Sequence, residues 1–398
     1  MSREGIIMRL IKLLFAVGVL LNFSISVADE TGDAQRWSID KANGWYKDQP
    51  WYTGFNYAPR YAINQLEMWQ EDTFDPEILD QELGWAEDIG FNMARVFLHN
   101  LLWDQDQEAF TRRIEQFLEI ADKHNVKIMF VLFDDVWDPA PKLGKQRSPI
   151  PHTHNSGWVQ APGKAILEDV NRHDELEGYV RGIIRRYGND PRVAIWDLYN
   201  EPGGLNSDTY GTREVANKEF HSLQLLKKVF NWAREEKPSQ PLTSGVWRAS
   251  VAEWNGVWRD SDGEWVGEDP KNPASGLYHF MLDNSDIITF HSYVGVEPTK
   301  KLVNSLKRQD RPIICTEYMA RPYSTFEEIM PYFAEEKIGA INWGFVEGKI
   351  QTQYPWGSWS KAFDKEPTPW FHDILRGDGT AYSEEEVKFI SDLINQTR

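Results

Sequence analysis

The chain has 398 residues, 41% of them hydrophobic and 26% charged, which is the make-up of a soluble globular protein and excludes a disordered, collagen-like or polytopic membrane chain. Its 61 acidic residues against 43 basic ones give a formal charge of -18, a field that repels phosphate backbones, so nucleic acid is not an expected partner. The 20 Phe, 15 Tyr and 18 Trp exceed what a core needs and suit a surface that grips amphipathic ligands by stacking.

In chain order, residues 1–28 come first and have the layout of a secretory signal. Arg3, Arg9 and Lys12 form a positive start, Leu13 to Phe23 is almost wholly apolar, and Ser26-Val27-Ala28 supplies the small residues of a cleavage site. The expectation is export to the periplasm or beyond, with residues 29–398 as one catalytic domain and no membrane segment left after removal. Eight short apolar runs follow, separated by stretches of helical spacing: Tyr52 to Tyr57, Met93 to Leu98, Lys127 to Phe133, Val193 to Tyr199, Leu242 to Trp247, Ile287 to Tyr293, Pro312 to Glu317 and Ala340 to Phe345. Helices are predicted at Pro76 to Ile89, Glu108 to His124, Glu168 to Tyr187, Arg213 to Glu236 and Phe326 to Glu335. Eight such βα units predict a (β/α)8 barrel. The connections after strands are long (Asp134 to Ile166, Arg248 to Ala274, Glu347 to Pro369) and those before strands are short, which places an elaborate cleft at the C-terminal end of the barrel. Cys315 is the single cysteine, so no internal disulfide can form; its apolar strand context reads as a buried small hydrophobe rather than a nucleophile.

Two strands end in glutamate. Strand four runs into Asn200-Glu201-Pro202 and strand seven into Cys315-Thr316-Glu317, and a carboxylate at the C-terminal end of a barrel strand is costly for stability and natural for catalysis. Cleaving a glycosidic bond needs a proton for the leaving oxygen and stabilisation of charge at the anomeric carbon, work that two carboxyl groups can divide. With Arg95 on strand two, His291-Ser292-Tyr293 on strand six and Trp343 on strand eight, these residues resemble the (β/α)8 glycoside hydrolases of the clan that includes the family 5 cellulases and mannanases. The resemblance spans roughly Tyr52 to Phe371. It implies Glu201 as general acid/base and Glu317 as nucleophile, Asn200 on the sugar 2-hydroxyl, Arg95 and Tyr293 orienting Glu317, His291 in the hydrogen-bond network and Trp343 beneath the sugar. Retention of configuration at a β-linked polysaccharide or oligosaccharide is the expected outcome. The substrate is a carbohydrate, no cofactor or metal is expected, and the protein is expected to act as a monomer.

Some features sit awkwardly with that pattern. The end of strand three reads Phe133-Asp134-Asp135-Val136-Trp137 where family 5 cellulases usually carry a histidine. Strict alternation on strand four would put Asn200 and Glu201 on opposite faces, so a break in the strand is predicted. Arg95 could alternatively only satisfy a core carboxylate such as Asp197. His152 and His154, with Asp134, Asp135 or His173, offer metal-ligand atoms, but their spacing matches no zinc signature and they read as a substrate-binding loop. Asp260-Ser261-Asp262-Gly263 opens like a calcium loop that does not continue. Trp254, Trp258, Trp265, Trp356 and Trp359 are candidate sugar platforms, and Glu347 is placed either against sugar or in a solvated pair with Lys349. The competing functions are a barrel that binds sugar without cutting it and a metal-dependent carbohydrate esterase.

Overall fold

The computed structural model of the protein describes residues 35–248 and 273–398; the signal-like segment, three of the candidate tryptophans (Trp254, Trp258, Trp265) and the Asp260–Gly263 turn lie outside them. Eight parallel strands, β1 (Thr53–Tyr57), β2 (Met93–Phe97), β3 (Lys127–Val131), β4 (Val193–Asp197), β5 (Leu242–Thr243), β6 (Ile288–Ser292), β7 (Ile313–Tyr318) and β8 (Gly339–Asn342), pair in the order β5-β4-β3-β2-β1-β8-β7-β6. The ring closes just past β5, where Val246 N donates to Thr289 O at 3.0 Å and His291 N donates to Val246 O at 2.9 Å. This is the expected (β/α)8 barrel.

Period-two alternation sets what fills it. On β2, Ala94 and Val96 join the core between strands and helices, while Met93 and Phe97 belong to separate apolar clusters at the two ends of the barrel and Arg95 lies between them. At the bottom, Met93, Met129, Ile195, Ile287, Ile314 and Ile341 form one apolar layer. A helix at Ile39–Lys47, started by the Ser38 side chain accepting from Lys41 N, supplies Ala42 to that layer, with Trp37 beside it. Nothing in the sequence reading anticipated this plug.

The helix at Pro76–Ile89 falls where composition puts it: Asp75 accepts from Glu77 N and Ile78 N, Pro76 opens the first turn, and Gly90 closes it at φ 101. The predicted helix from Glu168 to Tyr187 is two elements, a 3-10 turn at Val170–Leu176 and an α-helix at Glu177–Tyr187, because Asp169 caps the earlier start by accepting from Asn171 N. Helices at Pro273–Asn284, Val296–Leu306 and Glu384–Thr397 complete the outer ring of the described residues without having been predicted. Among the described residues, no helix is long and apolar enough to cross a membrane.

Candidate active site

The C-terminal ends of the strands open into a cleft of about 860 Å³ whose lining includes Asn200, Glu201, Tyr293, Glu317 and Trp343. Two departures from regular strand geometry aim the glutamates into it. The chain after β4 stays extended as far as Asn200, whose N donates to Phe133 O at 2.8 Å, but Leu198 and Tyr199 both pack in the outer core and Glu201 adopts a left-handed backbone at φ 43. Asn200 and Glu201 thereby both face the cleft, the break that alternation required. A left-handed non-glycine residue costs about 1–3 kcal/mol and persists only where its surroundings hold it. Here Asp135 does so, accepting from Gly203 N at 2.6 Å and Tyr199 hydroxyl at 2.7 Å on either side of Glu201. On β7 the register against β6 slips between Phe290 and His291, so that Cys315 pairs with Phe290 and Glu317 with His291. Thr316 is the extra residue of a bulge, and it turns Glu317 inward beside His291.

Arg95 is fully buried and spends all five of its N–H groups. Nε and Nη2 donate to Asp197 Oδ2 at 3.0 and 2.7 Å, Nη1 to Asn56 Oδ1 and Glu317 Oε1 at 2.7 Å each, and Nη2 to Asn200 Oδ1 at 2.6 Å. Arg95 therefore bonds both Asp197 and Glu317 rather than Asp197 alone. The other Glu317 oxygen, Oε2, accepts from the Tyr293 hydroxyl at 2.7 Å and lies 3.5 Å from His291 Nδ1. Glu201 Oε1 and His291 Nδ1 share a hydrogen bond of 2.8 Å.

Burial lifts the Glu201 carboxyl to about 7, against the pull of Arg95 and Arg248. It also raises Glu317, with the neighbouring Glu201 adding to the rise, while Arg95 and the Tyr293 hydroxyl pull back toward the ionised form. Burial lowers His291 to about 4, so its ring is neutral near pH 7. An oxygen of Glu201, an oxygen of Glu317 and a ring nitrogen of His291 lie within 4.8 Å of one another, and among the described residues no other three His, Cys, Asp or Glu side chains gather so closely. Arg95 and the Tyr293 hydroxyl each donate to one Glu317 oxygen beside that trio.

Trp343 is almost buried, packed edge-on against Phe97 at 5.9 Å and Trp158 at 6.1 Å. Trp356 and Trp359 also line the cleft. His152 and His154 do not gather with Asp134, Asp135 or His173; their Nδ1 atoms bond Phe363 O at 2.6 Å and Tyr354 O at 2.8 Å. Glu347 accepts from Gln353 at 3.0 Å, while Lys349 pairs with Glu67 at 2.6 Å, so the suggested Glu347–Lys349 pair is not made. Cys315 is fully buried. The sequence reading missed Asn56, which donates to Thr316 O at 2.7 Å, and the place of Asp134, which accepts from Asn200 Nδ2 at 2.9 Å and Trp158 Nε1 at 2.7 Å where a histidine had been looked for. A polar residue flanked by Phe55 and Tyr57 on a buried strand was the available signal for Asn56.

No curated protein sequence matches this chain. Solved structures similar to it include a GH5_18 protein of Streptomyces cattleya in complex with GlcNAc, at TM-score 0.54 and 11% identity, covering 88% of this chain and 80% of that one. The endo-1,4-beta-mannanase of Rhizomucor miehei reaches TM-score 0.54 at 14% identity over 88% and 96% of the two chains. The exo-beta-1,4-mannosidase of Opitutaceae bacterium strain TAV5 reaches 0.55 at 16% identity over 87% and 59%. Identities this low establish the barrel and no more. The description Cellulase (glycosyl hydrolase family 5) matches residues 85–347, about two thirds of the sequence, and the chain therefore belongs to glycosyl hydrolase family 5 and is a glycosidase.

Proposed function

We propose that the protein is a retaining β-glycosidase acting on β-linked polysaccharide or its oligosaccharides, with Glu317 as nucleophile and Glu201 as general acid and then base. The observation that carries this is the closeness of the two carboxyls: retaining enzymes hold them roughly 5–5.5 Å apart, whereas inverting ones leave about 6.5–9.5 Å for a water. One oxygen of Glu201 and one of Glu317 lie within 4.8 Å of each other, which supports the shorter spacing. The division of roles follows from their partners. Arg95 and Tyr293 both donate to Glu317, and bonds to the charged form keep a carboxylate ionised. Glu201, bonded to the neutral His291 ring and lifted to about 7 by burial, holds a proton near neutrality.

In the first step a Glu317 oxygen attacks the anomeric carbon as the bond to the leaving oxygen breaks, and Glu201 gives that oxygen its proton. In the second, water attacks the same carbon, Glu201 takes the water's proton, and the ester to Glu317 is released. Asn200 is held by Arg95 on its oxygen and by Asp134 on its nitrogen, which leaves one N–H for the sugar 2-hydroxyl. Trp343 would carry the sugar whose bond is cut. Mannan, cellulose, xylan and laminarin oligosaccharides form the substrate panel, with mannan first because two of the structural relatives are named for mannan or mannoside cleavage.

Trapping with 2-deoxy-2-fluoro aryl glycosides, followed by peptide mass mapping, is the test. An adduct on Glu317 is expected; an adduct on another residue would reassign the nucleophile, and turnover with inversion would reject the ester altogether. Glu201→Gln should slow substrates with poor leaving groups far more than those with good ones, since only the former need the proton. Equal losses on both would remove Glu201 from the acid role.

A further inference from the structure

The loops above the barrel are not separate arms. Those after β3 and β8 begin on strands separated in the ring by β1 and β2, yet they are joined across that gap. Asn155 N donates to Ile350 O and Gln351 Nε2 to Ile150 O, both at 2.8 Å, and His152 N donates to Gln351 Oε1 at 2.7 Å. The segment after β1 is locked to both loops: Asn64 Nδ2 donates to Gly157 O at 2.9 Å and Lys349 N to Arg60 O at 3.1 Å. Two glycines make this approach possible. A Cβ at Gly157 would sit 2.2 Å from Ile63 Cδ1, and one at Gly348 would sit 2.5 Å from Arg60 Cα. The closure continues on both flanks, to the loop after β4 through Trp137 N and Asn206 Oδ1 at 2.6 Å, and to the loop after β7 through Arg321 N and Phe371 O at 2.9 Å.

The rim is therefore bonded without a break from β7 through β8, β1 and β3 to β4, and its inner face is aromatic. Trp137 and Trp359 stack at 5.8 Å and 17°, and both line the cleft with His154 and Trp356. Trp137 is held there in a left-handed backbone at φ 72, its amide on Asn206 and its carbonyl accepting from Gln160 at 2.9 Å. Such a conformation survives only when its surroundings over-determine it, and positions of this kind concentrate at ligand sites.

This wall has a consequence for how a sugar chain can lie, given the roles assigned above to Glu201, Glu317 and Trp343. The leaving sugar must extend past Glu201, because the acid has to reach the bridging oxygen. The sugar over Trp343 would have to continue the other way, into the bonded rim that spans β8, β1 and β3. We infer that the cleft accepts one sugar on that side and no more, so that the enzyme removes single sugars from non-reducing chain ends.

The test pairs 4-nitrophenyl β-monosides of mannose, glucose and xylose with the 4-nitrophenyl β-1,4-biosides of the same sugars, with products followed by chromatography from the first minutes. The expected result is nitrophenol released directly from a monoside, and from its bioside only after a lag during which free monosaccharide appears. Immediate release of intact disaccharide and nitrophenol from the bioside would overturn the inference while leaving the glycosidase reading in place. Failure to cleave any of the six compounds would overturn the reading of the carboxyls on which it rests. A folded His152→Ala/Gln351→Ala variant loosens the clasp without touching a cleft residue, and should raise the ratio of disaccharide to monosaccharide released from the bioside by at least tenfold. An unchanged ratio would remove the clasp as the cause.

Discussion

Two layers of the same barrel, one residue pair apart along each strand, obey opposite rules. At the bottom, Met93, Met129, Ile195, Ile287, Ile314 and Ile341 meet as a dry apolar layer under the N-terminal helix. Two positions further along β2 and β4, Arg95 and Asp197 are just as buried but charged. Replacing a buried ion pair by well-packed apolar residues is often neutral or stabilising, so stability alone does not explain the second layer. What the charged layer does is fix where Glu317 and Asn200 point, through a guanidinium with no donor left over. The lower layer holds the fold and the upper one tolerates a cost in order to hold a geometry.

The largest effect should come from breaking that hub. Arg95→Met leaves Asp197 and Glu317 buried without their cation, an error worth about 3–5 kcal/mol of unfolding free energy. The second substitution, Asp197→Leu in the Arg95→Met background, removes one of the two stranded carboxylates and should recover part of the stability seen in urea unfolding. Turnover should not recover, because Glu317 and Asn200 still lack their orienting donor. A double variant that regained kcat/KM along with stability would reduce Arg95 to a structural counter-ion.

A milder intervention separates the two carboxyls of the upper layer from each other. In the proposed mechanism Glu201, lifted to about 7 by burial, must be protonated to assist the leaving group. For substrates with poor leaving groups kcat/KM should fall above about pH 7, approaching tenfold per pH unit once Glu201 is largely ionised. For aryl glycosides with good leaving groups, cleaved by Glu201→Gln, that alkaline limb should vanish. A limb that persists in Glu201→Gln would assign it to another group.

How much of this contrast was legible in sequence follows from its range along the chain. The strands, the rim glutamates and Arg95 could be read because apolar runs of strand length ending in Asn200-Glu201-Pro202 and Cys315-Thr316-Glu317 are local patterns. The break at Glu201 could be deduced, since alternation forbids Asn200 and Glu201 from sharing a face. The bulge at Thr316 could not, because it is a slip of register against β6 and β7 alone carries no mark of it. The clasp of His152 with Gln351 joins residues 199 apart, and Asn56 meets Thr316 across 260, so neither has a signature in any sequence window. The plug at Ile39–Lys47 was hidden for another reason: it packs by its placement under the barrel rather than by a strongly apolar sequence of its own.

The smallest expected effect tests whether the two layers are independent. Ile314 lies in the bottom layer of β7, three residues before Glu317, with the bulge between them. Ile314→Val deletes one buried methylene and should cost about 0.5–1.5 kcal/mol, read as a lower urea midpoint with unchanged slope. If the layers are separate, kcat/KM stays where it was, because the bulge at Thr316 and the bonds from Arg95 and Tyr293 fix Glu317 without reference to what fills the space below. A loss of tenfold or more from so small a change would mean that packing in the lower layer sets the register of the bulge. The geometry of Glu317 would then be a property of the whole strand, and the division between a stabilising bottom and a reactive mouth would have to be redrawn along β7.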